Sequence, residues 1–158
     1  MTLMVIVIAG VIALVGGGIG FVRRAELEPE EWHVDPLTAP KPDTPNSYRV
    51  APSSAEVPVD SEAPTYSVSA SELASRFDGV ALAAPRTEAI AGSAADGHVT
   101  YVQRSALWGF PDYVSVRFID NGPEGGSTLA VFSRSRFGKS DLGVNKKRVT
   151  AWLASLPT

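Results

Sequence analysis

The sequence predicts an α+β fold: a small four-stranded antiparallel sheet with a short N-terminal helix and a C-terminal helix packed on it, preceded by one transmembrane helix. Three observations lead there. Charge is segregated along the 158 residues, although the formal net charge is only −3. Segments of strand length, with apolar residues in alternation, follow one another across short Gly-rich links. The last stretch carries an apolar stripe at helical spacing.

The first element is a run of 20 uncharged, mostly apolar residues, 3–22. At ~1.5 Å rise per residue it matches the roughly 30 Å hydrocarbon core of a bilayer. A cleaved leader would begin with basic residues and end at a small-x-small site. Here the start carries no basic side chain, and the run closes on Gly20-Phe21-Val22-Arg23-Arg24. Residues 1–24 are therefore expected to form an uncleaved anchor. Gly16-x-x-x-Gly20 and Ala13-x-x-x-Gly17 are pairs of small residues that let a second helix approach closely. The only basic residues near the span, Arg23 and Arg24, follow it, which puts the C-terminal side in the cytoplasm.

Residues 25–64 hold nine Asp/Glu and two Lys/Arg, net −7, and eight prolines lie between positions 29 and 64. Proline removes donors and fixes φ, so neither helix nor central strand is expected. The segment reads as an extended tether that reaches on the order of 100 Å if fully drawn out. Trp32, His33, Val34, Tyr48, Val50, Val57 and Val59 bead it with apolar and aromatic groups. A free spacer needs none of these, so the tether is expected to lie on a surface, with Trp32, His33 and Tyr48 as its contacts. His33-x-Asp35 offers one imidazole and one carboxylate, too few for a metal site.

Residues 65–158 hold eight acidic and ten basic residues, net +2. Ser69-Ala70-Ser71-Glu72 is a capping-box pattern that opens a helix over 69–78. Strands are expected at 87–93, 99–106, 112–120 and 128–135. The third sets Val114, Val116 and Phe118 against Tyr113, Ser115 and Arg117, the pattern of a half-buried strand. The short links make the neighbours antiparallel. Val149, Trp152, Leu153 and Leu156 form the stripe of the last helix, with Ser140 or Asp141 as its cap. Trp108 is assigned to the core.

The absence of cysteine excludes a disulfide framework, a thiol nucleophile and Cys-based metal sites. Residues 133–148 hold six cations and one acid. Gly138-Lys139-Ser140 imitates the end of a phosphate-binding loop, but Ser133 stands where that motif needs its first glycine. Arg134, Arg136, Lys139 and Arg148 are the candidates for binding an anion. In the competing reading they form a solvated face, with Arg134 or Arg136 paired to Asp141. Gly138, Ser140, Asp141, Gly143 and Asn145 are expected to build the turn and cap the helix. No hydrolase, zinc-protease or dinucleotide motif occurs, and the only histidines are His33 and His98. No cofactor is expected. A nucleic-acid partner fits poorly with a domain of +2 behind an acidic tether.

The run Ser133-Arg134-Ser135-Arg136-x-Gly138-x-Ser140-Asp141-x-Gly143-x-Asn145-x-x-Arg148 resembles the C-terminal signature of a bacterial and plastid family called domain of unknown function 1499. Asp112-Tyr113-Val114 with Arg117-Phe118 resembles the strand before that signature. Pro45-Asn46-Ser47 is similar to its N-terminal motif, with Ser47 where cysteine is usual. Trp32-His33-Val34-Asp35-Pro36 resembles versions from photosynthetic and denitrifying alphaproteobacteria. The resemblance covers roughly residues 45–156 and implies a membrane-tethered envelope protein without known activity. It implies a domain outside the cytoplasm, against the charge rule.

Together these readings lead to a non-enzymatic, single-pass accessory subunit of a larger bacterial inner-membrane complex, with a respiratory complex as the candidate. The partners expected are that integral membrane complex and lipid headgroups, and no nucleic acid. The alternative is a membrane-tethered module that binds an anion or a lipid headgroup. The third reading is an enzyme of unknown reaction.

Overall fold

The computed structural model describes residues 7, 27–122 and 125–156. The elements in chain order are α1 (Pro29–Trp32), β1 (Ser47–Ala51), β2 (Ser61–Glu62), α2 (Ala70–Ala83), β3 (Thr87–Ser93), β4 (His98–Arg104), β5 (Pro111–Asp120), β6 (Ser127–Ser135) and α3 (Val144–Ala154). They form one six-stranded sheet in the order β2-β1-β6-β5-β4-β3. The expected four-stranded antiparallel sheet is thus corrected to a mixed six-stranded one, because β1 and β2 run parallel. Among the described residues no helix is long and apolar enough to cross a membrane. The span expected over residues 3–22, with Ala13, Gly16, Gly17 and Gly20, lies outside the described residues except for Val7.

Both added strands come from the Pro-rich segment that was expected to be a tether. Pro45 and Pro52 bracket a proline-free window, and within it Ser47–Ala51 pairs antiparallel with β6, Tyr48 opposite Ser133 and Val50 opposite Val131. Proline therefore sets the ends of β1 and does not prevent it. β2 is a two-residue edge strand. Its approach to β1 is fixed by Asp60, whose amide donates to the Arg49 carbonyl and whose carboxylate accepts from the Arg49 amide.

Ser69 caps α2, its hydroxyl accepting from the Glu72 amide at 3.2 Å. The helix runs past the expected end at 78 and stops at Ala84, before Pro85, where α conformation is disfavoured. Leu73, Ala74, Phe77 and Ala81 face the sheet, where Phe77 meets Phe118 and Trp152 edge-on at 5.6 and 5.8 Å. Val99, Tyr101, Val114, Val116, Leu129 and Val131 complete this core beneath α2 and α3.

The opposite face is not open to water. Tyr113 and Ser115, expected on the solvated side of a half-buried strand, are fully buried, and so is Phe132 on β6. They lie under residues 29–41, which cross the sheet as a strap. The alternating pattern in β5 and β6 thus marks two buried faces of different polarity, one apolar under helices and one polar under the strap.

Candidate functional site

The strap is bound to the second face of the sheet mostly through its own backbone. The Trp32 carbonyl accepts from Ser115 Oγ at 3.1 Å and from Arg134 Nη2 at 2.5 Å. The Val34 carbonyl lies 3.1 Å from His98 Nε2, and the Ala39 carbonyl accepts from Arg49 Nη2 at 2.5 Å. Side chains add to this. The Trp32 ring stacks on Tyr113 with centroids 4.1 Å apart, and Asp35 pairs with Arg117 at 2.6 Å. Trp32 and His33 are therefore contacts of the strap. Tyr48 lies on β1 at the helix side, with Lys146 Nζ 6.0 Å from its ring centroid.

His33 stacks on His98 with centroids 4.0 Å apart and places Nδ1 2.9 Å from Thr100 Oγ1. Gly92, at φ +65°, makes room for the pair: a Cβ there would meet the His98 carbonyl oxygen at 2.1 Å and His33 Cε1 at 2.9 Å. Burial, reinforced by His98, holds the His33 pKa below its usual 6.5. The folded chain thus binds this proton less readily than the unfolded chain. The contribution to stability is intact above the unfolded value near 6.5 and is lost as pH falls through the folded value. Denaturation midpoints measured from neutral pH downward should fall below pH ~6.5, and His33→Gln should flatten that fall.

The four cations singled out as anion ligands divide between the two faces. Arg148 lies under α3 on the helix face and is 8% exposed. Its guanidinium donates to Asp112 Oδ2 at 2.6 Å, Gln103 Oε1 at 2.6 Å, Ser133 Oγ at 3.0 Å and Asn145 Oδ1 at 2.7 Å. Asn145 continues the network to the Asn46 carbonyl, Ser135 Oγ and Asp141 Oδ2. This satisfied cluster fastens α3 to three strands, and it removes Arg148 from the anion candidates. Asp141 also accepts from the amides of Gly143 and Asn145, which caps α3; burial pushes the Asp141 pKa up, but these bonds and that from the Asn145 side chain outweigh it and lower the pKa. It thus ties the turn as expected, while neither Arg134 nor Arg136 pairs with it. Gly138 at φ +90° and Gly143 at φ +78° make the tight turn. Asn46 anchors the turn by donating to the Gly138 carbonyl at 2.7 Å, and Ser140 Oγ accepts from the Leu142 amide. Lys139 is exposed on the turn.

Arg134 and Arg136 reach the strap side. There a cavity of about 440 Å³ is lined by Trp32, Val34, Pro42, Phe132, Arg134 and Arg136, together with Lys41 and Asn46. Arg136 pairs with Glu28, and Lys41 with Asp60. Arg134 is different. It is 6% exposed, and among the described residues no carboxylate lies within ion-pair distance of it. Ser115 Oγ, the Phe132 carbonyl and the Trp32 carbonyl take three of its five N–H donors. Aromatic faces partly replace a counter-ion. The Phe132 centroid is 4.9 Å from Arg134 Cζ and 3.9 Å from Arg49 Cζ, and the Trp32 centroid is 5.2 Å from Arg134 Cζ. Burial, with the like charge of Arg49 added, lowers the Arg134 pKa to about 10. It remains charged at neutral pH.

Arg49, Lys41, Asn46 and Phe132 did not stand out as site residues in the sequence. The alternation that places Phe132 and Arg134 on one face of β6 was legible. Arg49 was hidden because its strand lies inside the Pro-rich segment. No curated protein and no solved structure matches the chain. The model of a family described as "Protein of unknown function (DUF1499)" matches residues 38–156, which take in the sheet, α2, α3 and the basic turn. With most of its length matched, the chain belongs to the DUF1499 family.

Proposed function

We propose that the protein is a membrane-tethered binding module for a small organic anion, held between the strap and the second face of the sheet. The observation that carries this reading is Arg134, a buried cation on the wall of a cavity of about 440 Å³ that meets no carboxylate among the described residues. A buried charge is costly unless it is paired. An incoming carboxylate or phosphate would supply the missing counter-ion and use the two remaining donors of the guanidinium. Trp32, Val34, Phe132 and the prolines of the lining favour an anion with an apolar body, and the volume suits a ligand of small-molecule size. The tether is the uncharged run 3–22, which would keep the module at a bacterial inner membrane.

The accessory-subunit reading remains compatible with this one but has no observation of its own in the described residues. The test is thermal unfolding of the full chain with a panel of organic carboxylates and phosphate monoesters. A ligand present at about 100 times its Kd should stabilise the fold by about 2.7 kcal/mol. That gain should vanish in Arg134→Met and survive in Lys147→Ala, which is on exposed α3 surface. A panel in which no anion raises the midpoint, or one whose gain survives Arg134→Met, would overturn the proposal.

A further inference from the structure

One end of the sheet carries an apolar rim. The β4–β5 loop projects there beside the turn that leads from β6 into α3, since Arg104 pairs with Pro111 and Asp112 with Ser135. Trp108, expected in the core, is 39% exposed in this loop, and Leu107 is 68% exposed. Trp108, Phe110 and Phe137 form a row of rings with centroids 6.5 and 5.9 Å apart. Leu142 on the neighbouring turn is 88% exposed, at φ +52°. A leucine held in the left-handed region costs ~1 kcal/mol or more, and burial of its side chain within the chain does not offset that cost here.

The path of the chain indicates what covers the rim. Glu28 Oε2 pairs with Arg136 Nη2 at 2.5 Å, one residue from Phe137. From Val22, the last residue of the uncharged run, to Glu28 is six residues. Fully extended they reach at most about 20 Å. The uncharged run thus joins the described chain through a connection of at most about 20 Å that meets it beside the rim. Side-chain type agrees, because Trp concentrates at membrane–water interfaces and Phe and Leu insert into them. Charge sets the mode of contact. Glu28 and Glu31 stand beside Arg136 and would repel anionic headgroups, so apolar insertion must drive the contact.

We propose that the rim formed by Leu107, Trp108, Phe110, Phe137 and Leu142 docks on the surface of the bilayer that anchors residues 3–22. The inference rests on the membrane-tether part of the function proposed above and not on the anion site. The short connection raises the effective concentration of the rim at the surface to the millimolar range, so a weak intrinsic affinity is enough. The strap cavity, lined by Arg136 and Gly138, then opens near headgroup level.

The lack of cysteine allows a direct test. The full chain is made as Leu107→Cys or, in the turn after β1 at the opposite end of the sheet, as Ser54→Cys. Each is labelled with an environment-sensitive fluorophore and reconstituted in phosphatidylcholine vesicles carrying spin-labelled lipid. The Leu107 probe should be blue-shifted and quenched by the lipid, the Ser54 probe neither, and adding phosphatidylglycerol should not increase the quenching. A chain that floats with the vesicles but leaves the Leu107 probe unquenched would overturn rim docking alone. A chain that does not float would overturn the tether and docking together. A blue shift that depends on protein concentration without lipid quenching would assign the rim to a second copy, against the proposal. Trp108→Ser in the labelled chain should reduce the quenching severalfold, and unchanged quenching would remove the rim as its cause.

Discussion

Replacing Arg148 by Met should lower the free energy of unfolding by about 3–5 kcal/mol, read as a drop in the urea midpoint at unchanged slope. The side chains of Arg148 and Asp112 are only 5% and 10% exposed, and their 2.6 Å pair is the centre of the network under α3. Methionine fills similar space but leaves the Asp112 carboxylate in a low-dielectric site without its cation. It also strips a donor from Gln103, Ser133 and Asn145. The size of the loss reflects the abandoned carboxylate more than the strength of the pair, so Arg148→Met with Asp112→Leu should recover a large part of it. If the double variant is no better than the single one, the hydrogen bonds to Gln103, Ser133 and Asn145 carry the stability and the ion pair does not.

Trp32→Ala should cost about 3 kcal/mol, at the lower end of the range for removing a large aromatic because Trp32 is only half-buried. The larger consequence should be local. The ring stacks on Tyr113 within 12° of parallel, and Arg134 sits over it. Without the ring the strap keeps its backbone hydrogen bonds but loses the apolar contact that excludes water from them. Amide exchange should accelerate most at Leu37 and Ala39, whose amides donate to Asp35, while the β4 and β5 amides keep their protection. A double-mutant cycle with Tyr113→Ala should give a coupling of about 0.5–1.5 kcal/mol. Additive losses would mean that the strap is held by its backbone alone.

Local chemistry along the chain was sufficient for several elements. Ser69 and Glu72 marked the start of α2. Strand-length segments between short Gly-rich links marked β3 to β6 within one residue at their starts, and Val149 and Trp152 marked the buried stripe of α3, while Leu156, expected in that stripe, is buried just beyond the helix end. Asp141 and Gly143 were legible as a turn and cap because their bonds close within a few residues, whereas the bond from Asn145 to the Asn46 carbonyl was not legible. Trp108 was misplaced because a large aromatic residue next to a turn has no local feature that separates core from rim. β1 was missed because proline was weighed over the whole segment, while a strand needs only a proline-free window and a neighbour with free donors and acceptors.

By itself the sequence determined the periodicities, the caps and turns, and the separation of an apolar run from an acidic and a near-neutral part. These depend on neighbours a few positions apart. Only the tertiary structure decided that Arg148 meets Asp112, that Arg134 meets no carboxylate among the described residues, and that Trp32 covers Tyr113. The two contacts join residues 36 and 81 positions apart. A cation reads the same in sequence whether it lies in water, in an ion pair or on a cavity wall, and burial against distant partners sets the difference in its energy.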